Sequence, residues 1–190
     1  MCSSDLFVNG GSAASSLSFA VLTQVGTGGL VNVVAPSLGT VNKVYLPGLL
    51  TNAAYGANAR VIVNGADYAT TGANGLVPYA GYVAGNNLGA MGFLPTQPGV
   101  DSFNLSASPT FSGPTIAGWT RSVFNLKVSG NSVDIGAAAP LFQLTLAGGG
   151  LLVTGTGANL SVPVLSLGAE GFFNVAAGAD LRSEEHTSEL

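Results

Sequence analysis

The stretch Leu141–Gly168 reads LFQLTLAGGGLLVTGTGANLSVPVLSLG, and its reading decides the fold. In LFQLTLAGG the apolar residues Phe142, Leu144 and Leu146 share one parity, while Gln143 and Thr145 share the other. Such alternation puts one set of side chains on one face of a β-strand. Glycines then interrupt the run, LLVTG begins again at Leu151, and NLSVPVLSLG follows with Leu160, Val162 and Val164. After Pro163 the apolar parity switches to Leu165 and Leu167. Proline has no N–H to give to a ladder, so this point suits a bend or an exposed edge.

Upstream, VFNLKVSG shows the same alternation at Phe124, Leu126 and Val128. LKVSG at Leu126, LTLAGG at Leu144 and LSLGAEG at Leu165 lie 18 and 21 residues apart. A second series, VDIG at Val133, LLVTG at Leu151 and FNVAAG at Phe173, has spacings of 18 and 22. Two interleaved series of short strands at a near-constant period predict an all-β parallel β-helix, or solenoid, in which stacking buries what one coil cannot. The competing architecture is a β-sandwich. It is disfavoured because the repeat offers few tight hairpin signals, such as Asn-Gly between matched strands.

Composition agrees with strands and narrows the function. Charged residues are 7% and hydrophobic residues 47% of the 190, with 28 glycines. Average domains carry about 25% charged residues. High apolarity with little charge is the reverse of the disorder signature. No apolar run approaches the ~18 residues of a membrane-spanning helix, so this segment is not expected to insert in a membrane. Without a basic patch to neutralise phosphates, nucleic acid is excluded as a partner.

The two ends differ from the rest. RSEEHTSEL, Arg182–Leu190, carries three of the nine acidic residues and the only histidine. It can be written in DNA as a common sequencing adapter, and the complementary strand of the same segment translates into the opening MCSSDL. Residues 1–6 and 182–190 are therefore set aside as adapter-like, and the tail is expected to pack against little. The insert is expected to continue beyond its ends in a longer protein, and its cut strand edges to drive self-association. Setting the ends aside removes Cys2 and His186. It leaves Lys43, Arg60, Arg121 and Lys127 against Asp67, Asp101, Asp134, Glu170 and Asp180. Residues 101–181 read as regular solenoid coils and residues 7–100 as a less regular part. All five tyrosines, Tyr45, Tyr55, Tyr68, Tyr79 and Tyr82, fall between positions 45 and 82. That block reads as a tyrosine-rich sheet edge, a protruding loop or a glycan-contacting face, with Tyr68, Tyr79 and Tyr82 as candidate surface contacts.

Three stretches together resemble the autotransporter-associated β-strand-repeat proteins of bacterial cell surfaces. They are ARVIVNGADYATTGANGLVPYAGY (Ala59–Tyr82), DSFNLSASPTFSGP (Asp101–Pro114) and LTLAGGGLLVTGTGANLS (Leu144–Ser161). The resemblance implies a right-handed β-solenoid passenger, exported and displayed or released, with a structural, display or adhesion role and no catalytic residues. Its partners would be neighbouring coils of the full-length protein and surface glycans.

Chemistry is sparse. With no histidine or cysteine outside the ends, Ser–His–Asp and Cys–His arrangements and the usual zinc sites are excluded, and no cofactor is expected. Paired carboxylates remain open in principle, and the nearest charged cluster is Arg121, Lys127 and Asp134. A polysaccharide-active β-helical enzyme is the alternative function if these converge in one groove. A carbohydrate-binding module is another, if at least two tyrosines share an exposed face. GTGGLV (Gly26–Val31) and GTGANL (Gly155–Leu160) lack the third glycine of a dinucleotide fingerprint and read as strand turns.

Overall fold

The computed structural model describes residues 3–8, 13–20, 29–47, 57–84, 101–108, 119–135, 141–168 and 170–183. Every regular element among them is a β-strand. The chain divides into two units, Met1–Gly81 and Tyr82–Leu190. The division falls inside the region that composition assigned to residues 7–100.

The first unit holds β1 (Ser3–Phe7), β2 (Ser15–Ser18), β3 (Leu30–Val34), β4 (Asn42–Tyr45), β5 (Asn58–Val63), β6 (Asp67–Gly72) and β7 (Gly75–Pro78). The chain alternates between two sheets. β1, β3 and β5 stack in parallel, and β2 and β4 pair in parallel beside them. Leu6, Val33 and Val63 lie in one register column, and Leu17 and Val44 in another. Their apolar side chains meet in one core with Ala35, Leu46, Val61, Ala69 and Leu76.

After β5 the parallel rule stops. β5, β6 and β7 form an antiparallel meander, which the solenoid expectation did not contain. The cause is Asn64-Gly65. Both residues have positive φ, 53° and 65°, and the Val63 carbonyl accepts from Ala66 N–H at 2.9 Å. Two positive φ values make the turn whose twist matches a hairpin. β7 returns against β4, where a Cβ added to Gly75 would lie 2.4 Å from the Val44 carbonyl oxygen.

The second unit holds β8 (Val83–Ala84), β9 (Phe103–Leu105), β10 (Trp119–Val128), β11 (Asp134–Ile135), β12 (Leu141–Val153), β13 (Ala158–Leu160), β14 (Val164–Leu167), β15 (Phe172–Val175) and β16 (Leu181–Ser183). All pairings among its described residues are parallel. This rules out the β-sandwich and makes the fold a parallel β-solenoid. One sheet has the order β14-β12-β10-β9-β8, with β15 also on β12; the other has the order β11-β13-β16.

Register columns run through the rungs. Phe103, Leu126, Leu151 and Phe173 form one, Leu105, Val128, Val153 and Val175 a second, and Val123, Leu146 and Leu167 a third. Burying one such side chain is worth ~1.5–3 kcal/mol. Covered members of these columns are buried almost completely, and Phe103, Leu126, Val128, Leu146 and Val153 share one core.

The register corrects the apparent repeat. Leu126 sits beside Leu151, not Leu144, and Leu144 sits beside Arg121. Leu144 and Leu151 lie on the two halves of the one long strand β12, with Leu165 of β14 and Phe173 of β15 beside them, whereas Leu126 belongs to the column of Leu151 and Val133 adjoins β11 of the other sheet. Between the halves lies one residue in β10, Phe124, but three in β12, Ala147 to Gly149. The unequal corner makes the step from Leu126 to Leu151 25 residues, whereas Leu144 to Leu165 is 21. It also removes Phe124 from the buried alternation and puts Val123 there instead.

Both ends depart from expectation. Ser3–Phe7 pairs in register with β3, and Leu6 packs against the core. Leu181–Ser183 pairs with β13, so Arg182 and Ser183 belong to a sheet rather than a detached tail. A parallel ladder is made by backbone N–H and C=O groups, so an exposed edge accepts an extended segment whatever its composition. Cys2 and residues 184–190, His186 included, lie outside the described residues.

Candidate functional site

Of the three candidate contact tyrosines, Tyr68 is 1% exposed, which removes it from any surface. The reason is its place in β6: it pairs with Ile62, itself 0% exposed, inside the meander. Tyr79 and Tyr82 are half-buried. The Tyr79 hydroxyl donates to the Gly81 carbonyl at 2.9 Å in the first unit. Tyr82, in the second, holds its ring 5.3 Å from Lys127 Nζ, a cation–π pair. Tyr45 lies on β4 and is half-buried, and Tyr55 falls outside the described residues.

The charged cluster is spread over different surfaces. Arg121 shares the column of Leu144 and the parity of Val123, which belongs to the core. Burial strips water from its guanidinium and lowers its pKa from the ordinary arginine value. Lys127 lies on the opposite parity from the core residues Leu126 and Val128. Asp134 starts β11, in the other sheet. Asp180 pairs with Arg182 at 3.7 Å, both well exposed.

The structure assembles something else: polar side chains that tie one rung to the next. Asn125 Oδ1 accepts the Gly150 N–H at 3.1 Å, fully buried. Asn131 Oδ1 accepts both the Thr156 N–H and its hydroxyl, at 3.0 and 3.2 Å. The Ser129 hydroxyl donates to Asn104 Oδ1 at 2.8 Å. Each pair is 25 residues apart. On the second sheet Asp134 accepts from the Ser161 hydroxyl at 2.7 Å and from Asn159 Nδ2 at 3.5 Å. Its N–H donates to Ser108 Oγ. The first unit repeats the device: Asn32 Oδ1 accepts from Gly65 N–H and Asn64 Oδ1 from Ala35 N–H, both at 2.9 Å.

These ties went unread in the sequence because the apolar motifs were aligned at 18 residues. The same positions aligned on asparagine and its partners would have shown the spacing of 25. Those of Asn32, Asn64, Asn125 and Asn131 satisfy backbone donors that the ladder does not serve, while the Ser129–Asn104 and Asp134–Ser161 ties join side chain to side chain. No group of three or more His, Cys, Asp or Glu side chains able to hold a metal occurs among the described residues. Comparison of the chain with protein-family models, curated proteins and solved structures found no match.

Proposed function

We propose that this chain is part of a bacterial cell-surface or secreted β-solenoid with a structural, display or adhesion role. One observation supports it most: uninterrupted apolar columns and side-chain ties join successive parallel rungs of the second unit. Such a stack presents its outward residues at a fixed rung spacing, a rigid support for surface contacts. The low charge and the resemblance to autotransporter-associated β-strand-repeat proteins point the same way. Extracellular location and surface glycans as partners belong to this proposal.

The test incubates the immobilised chain with bacterial and host-cell surface polysaccharides, measuring retention and polymer length together. Retention with unchanged length is the expected result. Shortened polymers, with the shortening lost in Arg121→Ala, would overturn it in favour of a polysaccharide-active enzyme. Failure to retain any of them would remove adhesion through glycans.

A further inference from the structure

Two Asn-Gly pairs occur in the meander of the first unit, Asn64-Gly65 and Asn74-Gly75. In such a pair the glycine has no side chain to shield its amide nitrogen, which can therefore reach the preceding carboxamide. The fold treats the two pairs in opposite ways. Asn64 Oδ1 accepts the Ala35 N–H, and the Gly65 N–H donates to Asn32 Oδ1, each at 2.9 Å. The carboxamide to be attacked is thus held by the Ala35 backbone and the attacking nitrogen by the Asn32 side chain. Asn74 sits exposed at the β6–β7 turn, and its carboxamide has no hydrogen-bond partner among the described residues.

We propose that Asn74 is a site of spontaneous deamidation and that Asn64 is protected from it. The Gly75 nitrogen loses its proton to solvent base and attacks Asn74 Cγ. A C–N bond forms, the bond to the carboxamide nitrogen breaks, and ammonia leaves with a proton from water, giving a succinimide. Water then opens the ring. Addition at Cγ yields aspartate; addition at the main-chain carbonyl yields isoaspartate, with the backbone routed through the side chain. The net change is one water consumed and one ammonia released.

The isoaspartyl product has a structural consequence. It inserts one extra methylene into the backbone just before Gly75. Gly75 is already packed against β4 at φ of 90°, where even an added Cβ would collide with the Val44 carbonyl, so the turn cannot take up the extra length by moving towards β4. The β6–β7 turn therefore lifts from β4, and ageing at a single residue loosens the end of the first unit.

The test ages the full chain in mildly alkaline buffer at physiological temperature and digests it with chymotrypsin. Cleavage after Tyr68 and Tyr79 places Asn64 and Asn74 in separate peptides. The expected result is replacement of NH2 by OH in the Ala69–Tyr79 peptide, part of it isoaspartate, with Asn64 unchanged at the same time. Conversion of Asn64 first, or no conversion of Asn74 while a short peptide of the same sequence reacts, overturns the proposal. Asn74→Gln should abolish the mass change in that peptide. Asn74→Asp adds the charge without the methylene and should melt with the fresh chain, whereas the aged chain melts lower. Equal melting of Asn74→Asp and the aged chain would overturn the structural consequence.

Discussion

Asn125 is wholly buried, and its Oδ1 supplies the Gly150 N–H with an acceptor at a corner the ladder cannot serve. Replacing it by alanine leaves that donor without water or partner, at a cost of about 1–3 kcal/mol that is partly offset by removing the unpartnered Asn125 Nδ2. Ser102, on the neighbouring rung, is also wholly buried, but its hydroxyl has no partner among the described residues. Removing an unsatisfied hydroxyl relieves a desolvation cost instead. Ser102→Ala should therefore be neutral or slightly stabilising, within about 0.5 kcal/mol. Urea unfolding of both variants separates the two expectations, and equal losses would mean that Ser102 has a role in the native state. At this scale the sequence was least informative. Tyr68 and Arg121 are polar-tipped residues whose strand parity, not their type, put one inside the meander and the other in a core-facing column.

Gly149 shows how an element is built. Its φ is 77°, and a Cβ there would lie 1.8 Å from the Glu170 carbonyl oxygen, so rung meets rung at a corner where only glycine fits. Gly149→Ala combines left-handed strain with a backbone collision, and a loss of more than about 2 kcal/mol is expected. A thermal melt unchanged by the substitution would show that the corner can yield. Asn64 does comparable work in the hairpin, with φ of 53° and the bond from Ala35 N–H. Asn64→Ala should cost about 1–2 kcal/mol, the loss of a satisfied backbone donor plus positive-φ strain. Equilibrium denaturation of the first-unit signal from the tyrosines would register it. The strands themselves were legible, because alternation at Leu144, Leu146, Leu126 and Val128 is a local property. The hairpin was legible in principle from Asn64-Gly65. The step between rungs was not, because it depends on how many residues each corner holds.

For the whole molecule, the last described rung matters most. Leu167, Phe173 and Val175 continue core columns, yet are 36%, 38% and 44% exposed, whereas Leu146, Leu151 and Val153 beneath them are nearly sealed. Apolar columns beside strand edges that have no neighbour among the described residues favour pairing with a second copy. Sedimentation should show concentration-dependent association, weakened by Val175→Lys, with little effect on unfolding because the position is uncovered. Monomers at all concentrations would contradict this. The sequence by itself determined that the chain is built of strands: period-two alternation, many glycines and scarce helix formers act within a few residues. It also determined that no histidine- or cysteine-based chemistry operates outside the terminal residues, since composition needs no coordinates. Only the tertiary structure decided which strand lies beside which, that β5–β7 turns antiparallel, and that both ends join sheets. Those outcomes rest on corner lengths, backbone φ and the indifference of a hydrogen-bond ladder to side-chain identity, none of which the apolar pattern encodes.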